Sequence, residues 1–118
     1  MTETDILVNR IKEGLQEKKG RSIVIVDMTA LEAFCSYFVI CEGTSNTHIN
    51  AVTDAALDYV RKTTGLKPLA VDGLNNATWV AVDFGDVMMH VFDQTSRQYY
   101  NLEHLWSDAK LTVIPDLV

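Results

Sequence analysis

The chain has 118 residues, 47% of them apolar, and a formal charge of −6. That length fits a single domain, residues 1–118, large enough to bury roughly two-thirds of its unfolded surface without disulfide or metal staples. No run nears the ~18 apolar residues of a membrane span, and the acidic start Met1-Thr-Glu-Thr-Asp5 argues against a secretory signal or an Arg-rich transit peptide, so the expected place is the cytoplasm with no membrane partner.

Thr4 or Asp5 caps a first helix running to about Lys19. Leu7, Ile11 and Leu15, with Val8 beside them, make its apolar stripe, and Lys18, Lys19 and Gly20 stop it. Ser22 to Met28 is a β-branched run and reads as a buried strand. Thr29 to Ser36 is a connection, and Tyr37 to Glu42 a second buried strand. Gly43-Thr44-Ser45-Asn46 turns into a long helix whose core face is Ile49, Val52, Ala56, Tyr59 and Val60, ended by Gly65. Lys67 to Val71 is a third strand and Asp72 to Asn76 a loop. Trp79 to Phe84 and Val87 to Asp93 are two strands around Gly85-Asp86, a pair suited to a type II′ hairpin. Thr95 or Ser96 starts a last helical segment to about Trp106, broken near Asn101. The tail from Leu111 is apolar enough to pack back or to meet another subunit.

Strand, helix, strand over 37–71 is a βαβ-like unit, for which a right-handed crossover and a third strand parallel to the second are expected. The expected class is α/β: a two-layer domain with a mixed sheet of about five strands.

The charge is uneven. Residues 72–108 hold six carboxylates (72, 83, 86, 93, 103 and 108) against one cation, Arg97. That sign disfavours direct sequence-specific nucleic-acid binding. It suits a basic protein partner steered by charge, and it equally suits plain solubility. The span from Trp79 to Trp106 also packs two Trp, two Tyr, two Phe and two His into 28 residues. Rings and Arg of this kind anchor protein interfaces. Contacts to a partner are therefore expected from Trp79, His90, Phe92, Arg97, Tyr100 and Glu103, with Asp72 and Asp86 steering. In the last segment, Tyr99, Leu102 and Leu105 are expected to face inward and Tyr100, Glu103 and Trp106 outward.

Other constellations point to less. Cys35 and Cys41 read as free buried thiols in a reducing compartment. His48, His90 and His104 lack metal-ligand spacing, so no metal or cofactor is expected. His90 shares a strand face with Met88 and Phe92 and reads as a hydrogen-bonded packing residue. Gly43 to Asn46 could cradle an anion at a helix N-terminus, or Gly43 simply permits the turn while Thr44 or Ser45 caps the helix. A Gly-Ser turn here also opens nucleotidyltransferase active sites, which need paired Asp on a nearby strand for Mg²⁺. Asp54 and Asp58 have the spacing of a solvated helix face, and a turn separates Asp83 from Asp86. A Mg-dependent enzyme using Gly43, Ser45 and an Asp such as Asp83 is the competing reading, and a structural dimer subunit of another complex is a third.

Asp27, Tyr37-Phe-Val-Ile40, Gly43-Thr44-Ser45-Asn46, Asp72-Gly73, Trp79, Asp83-Phe84-Gly85-Asp86, His90-Val91-Phe92, Arg97, Tyr100-Asn101-Leu102-Glu103 and Leu105-Trp106, in this order and spacing, resemble the ribosomal silencing factor RsfS, or Iojap, family over roughly residues 3 to 110. Thr29-Ala-Leu-Glu-Ala-Phe-Cys departs from it, standing where a more polar loop with Ser and Asp is expected. The resemblance implies a nucleotidyltransferase-like fold without a catalytic site. It also implies binding to the large ribosomal subunit through its protein uL-fourteen, a steric block to joining of the small subunit that reduces translation when nutrients are scarce, and a homodimer off the ribosome.

Overall fold

The structure, a computed structural model, describes residues 2–31, 33–106 and 108–117. Helix α1 spans Glu3–Gln16. Its cap is Thr2, ahead of the expected Thr4 or Asp5, because Asp5 sits three residues on and completes a capping box. The Asp5 amide donates to Thr2 Oγ1 and the Thr2 amide donates to Asp5 Oδ2, each at 3.1 Å. Strands β1 (Arg21–Asp27) and β2 (Tyr37–Glu42) follow as read. Helix α2 (Asn46–Thr64) is capped by Ser45, whose hydroxyl accepts from the His48 amide at 3.0 Å, and closed by Gly65. Strand β3 shrinks to Ala70–Asp72, and β4 (Trp79–Asp83) and β5 (Val87–Phe92) form the hairpin. Gly85, first in its two-residue turn, has φ +95°, as a type II′ turn requires.

The chain end differs from expectation. Helix α3 covers only Gln94–Tyr100 and is capped by Asp93, whose carboxylate accepts from the Ser96 amide at 2.7 Å. Asn101 then adopts the left-handed conformation, as the expected break allows, and a 3₁₀ turn follows at Leu102–His104. Strand β6 (Lys110–Val113) folds the tail back onto β1.

Among the described residues the sheet therefore has six strands rather than about five, in the order β3-β4-β5-β2-β1-β6. Only β2 and β5 pair in parallel among the described residues; the other ladders are antiparallel. Counting directions through β4 and β5, β3 does run parallel to β2, but the hairpin separates them, so the crossover through α2 passes over two strands.

Alternation along each strand divides the core. Val39, Cys41, Val80, Val82, Val87, Met89 and Val91 face α1 and α2, where they meet Leu7, Ile11, Leu15, Ile49, Val52, Ala56 and Val60. The opposite face presents Val24, Val26, Phe38, Ile40 and Phe92, packed with Met28, Leu31, Ala33, Cys35, Leu102 and Trp106. Covering this second face adds a partial third layer to the two-layer expectation.

Candidate functional site: an aromatic face with an open wing

The side chains on the sheet face away from α1 and α2 follow from register. Trp79 pairs with Phe92, Ala81 with both Asp72 and His90, and Asp83 with Ala70 and Met88. Ile40 pairs with His90, and Phe38 with Met88. All these residues project from one side. α3, the 3₁₀ turn and residues 28–31 and 33–35 cover the β5-β2-β1 part of it. The β3–β4 wing stays open, with Asp72 exposed and Trp79, Ala81 and Asp83 half-buried.

Aromatic rings line the boundary between the covered and open parts. The Trp79 ring stacks on Phe92 (centroids 5.1 Å apart) and lies 4.4 Å from Tyr100. The Trp79 indole N–H donates to His90 Nδ1 at 3.1 Å. His90 is 3% exposed, and its ring meets Phe38 edge-on at 4.7 Å. Burial pushes the His90 pKa down to about 4, because an imidazolium there would lose its hydration. The ring is therefore neutral near pH 7, and its Nδ1 lone pair is free to accept. Gly73 shapes the same corner. It has φ +99°, and a Cβ on it would lie 2.0 Å from the Trp79 carbonyl oxygen, so only glycine fits between this turn and β4.

Arg97 is buried and ties three segments together. Its Nε donates to Glu103 Oε1 at 2.7 Å, and one terminal nitrogen donates to the Ser22 carbonyl at 2.7 Å and to Glu42 Oε1 at 3.3 Å. Burial opposes the guanidinium charge, yet Glu103 and Glu42 outweigh it and raise the pKa. The link seats the 3₁₀ turn, and with it Leu102, on the end of β1 and β2.

The eight residues expected to meet a partner thus fall into two groups. Asp72, Asp86 and Tyr100 are exposed, and Trp79 is half-buried at the edge of the open wing. His90, Phe92 and Arg97 are buried, and Glu103 is turned onto Arg97. In this arrangement His90, Phe92 and Arg97 offer almost no surface and Glu103 little, so of the eight it is Asp72, Asp86, Tyr100 and Trp79 that lie open. The inward and outward assignments in the last segment are corrected. Tyr99 is 81% exposed and Leu105 is exposed, whereas Trp106 packs beside Phe38 with centroids 5.9 Å apart. The left-handed step at Asn101 turns the chain, so helical periodicity does not carry across it. Leu102 faces inward as expected. Sequence reasoning missed Phe34, which is 70% exposed and 6.2 Å from the Trp106 ring. An apolar ring in a segment without periodic partners was the available signal.

The alternative chemistry finds its groups already engaged. A cavity of about 420 Å³ lies at the C-terminal ends of β2 and β5, lined by Arg21, Ser22, Glu42, Gly43, Thr44, Asp93 and Gln94, where open α/β sheets place ligands. Glu42 is held by Arg97, Asp93 caps α3 and Ser45 caps α2. Asp83 accepts from the Gly85 amide at 2.7 Å. Among the described residues, no three His, Cys, Asp or Glu side chains are placed to hold a metal ion, and no helix is long and apolar enough to cross a membrane. Cys35 and Cys41 are free and buried, as read.

Residues 2–118 match the family described as ribosomal silencing factor during starvation. A ribosomal silencing factor RsfS of Bacillus subtilis is 38% identical over 95 residues, covering 80% of each chain. A crystal structure of a Chromobacterium violaceum protein superposes with a TM-score of 0.84 at 28% identity, covering 95% of this chain and 92% of the other. One from Bacillus halodurans gives 0.75 at 29% identity, over 97% and 98%. On sequence and on overall shape alike, the chain belongs to the RsfS family of ribosomal silencing factors.

Proposed function

We propose that this protein binds the large ribosomal subunit through protein uL-fourteen and sterically blocks joining of the small subunit, lowering translation when nutrients are limiting. The observation that carries the reading is the ring pair Trp79–Tyr100, left at the margin of an open wing whose neighbouring side chains include Asp72 and Asp83. Rings supply area at low entropic cost, and carboxylates beside them favour a basic partner such as a ribosomal protein. Obstruction needs occupancy alone, so the reading asks for no catalytic group and no cofactor. It places the protein in the cytoplasm with the ribosomes. Off the ribosome a homodimer is expected, for which the exposed Leu111 and Val113 on edge strand β6 offer apolar surface.

The test is sedimentation of the tagged protein with ribosomal particles. Co-sedimentation with free large subunits and absence from joined ribosomes is the expected outcome. Trp79→Ala should weaken large-subunit binding by at least ~2 kcal/mol. Presence on translating ribosomes, or full binding by a folded Trp79→Ala protein, would overturn the assignment of function or of surface, respectively.

A further inference from the structure

Position 90 is an expensive place for an imidazole. With Nδ1 accepting from Trp79, the ring proton sits on Nε2, and Nε2 is buried with no hydrogen-bond partner among the described residues. Such a group carries a desolvation penalty that an apolar side chain of similar size would avoid. The neighbouring rings, Phe38, Phe92 and Trp79, would pack against a phenyl group equally well. What the imidazole adds is one directed bond to the indole.

That bond acts where packing leaves Trp79 free. Phe92 supports one side of the indole and Tyr100 flanks it, but Tyr100 is itself 48% exposed and sits at the last position of a seven-residue helix. The stacked rings permit sliding and rotation in plane; a hydrogen bond to a buried, neutral acceptor on a central strand does not.

We propose that His90 is a positioning residue of the docking face, fixing the Trp79 indole through its N–H in the orientation that meets the partner. This rests on the docking surface proposed above. A ring held in place before binding loses less side-chain freedom on association, so His90 acts on affinity without touching the partner.

Two readouts separate the parts of the idea. Hydrogen exchange of the Trp79 indole N–H, followed by ¹⁵N NMR and assigned with Trp106→Phe, reports the bond itself. Pelleting with large subunits reports its consequence. His90→Phe keeps the volume and removes the acceptor; it should expose the indole N–H to fast exchange and weaken binding about five- to tenfold. His90→Asn, which sets an oxygen near the Nδ1 position, should restore part of both, whereas His90→Gln, whose polar atoms lie nearer Nε2, should not. Should His90→Phe fail to fold, the contrast between His90→Asn and His90→Gln decides the matter. Slow indole exchange in folded His90→Phe overturns the bond as the restraint. Fast exchange with undiminished binding overturns positioning. Full binding by Trp79→Ala removes the docking surface on which the proposal rests, while the exchange data still judge the bond on its own.

Discussion

Arg97→Met tests whether the buried ion network holds the 3₁₀ turn in place. Methionine keeps an unbranched stem of similar reach and deletes the charge. Glu103 and Glu42 then remain next to the core, with side chains only 18% and 23% exposed, and the Ser22 carbonyl loses its donor. Removing one partner of a fully buried pair costs ~3–5 kcal/mol. The residual exposure of both carboxylates places this case at the lower end, at about 3 kcal/mol. For a domain of this size that corresponds to a fall of roughly 10 °C in Tm. Urea unfolding followed by far-UV circular dichroism measures the loss directly. A double-mutant cycle with Glu103→Gln should return a coupling above ~1 kcal/mol, since the two side chains meet at 2.7 Å. A folded Arg97→Met protein within ~1 kcal/mol of the parent, the range of solvent-exposed pairs, would refute the argument that burial makes this network matter.

Three further outcomes follow from the same geometry. Gly73→Ala should destabilise by ~2 kcal/mol or more, because φ +99° and the Trp79 carbonyl leave no room for a Cβ; an unchanged urea midpoint contradicts it. Unfolded His90 takes up a proton near pH 6.5 but folded His90 only near about 4, so its share of stability is complete above pH 6.5 and is lost at up to ~1.4 kcal/mol per pH unit as pH falls toward 4. His90→Phe should remove that part of the acid slope, and identical slopes in urea titrations at pH 7, 5.5 and 4.5 would rule it out. Asp72→Lys, an exposed change, should leave folding intact, slow association with large subunits several-fold at low salt and flatten the salt dependence; unaltered stopped-flow rates would remove Asp72 from any steering role.

Much of the architecture is legible because it is local. The β-branched runs at 22–28 and 37–42, the stripe on each long helix and the Gly85 turn each carry their own signal. Neighbour relations are not local: nothing in residues 37–71 reveals that the later hairpin inserts between β3 and β2. Strand β6 alternates polar and apolar residues over just four positions, the shortest run that marks a strand, so only the tail's capacity to pack back is legible. Trp79 and Tyr100 are legible as surface rings by their crowding with acidic residues. Arg97 is not legible as a core residue, since its burial depends on Ser22, Glu42 and Glu103 from three separate segments. Tyr99 and Trp106 invert because one left-handed residue resets the phase of the chain.

The parallel pairing of β2 with β5 has a consequence for synthesis. Phe38 meets His90 only once β5 has slotted beside β2, and Trp106 settles over Phe38 later still. A nascent chain emerging N-terminus first can raise its two long helices and the β1–β2 pair early, yet it owns no finished ring-lined face until β5 and Trp106 have followed them out of the exit tunnel. The helical layer can thus stand before the sheet face opposite it exists, so the rings close over a sheet already backed by its two long helices.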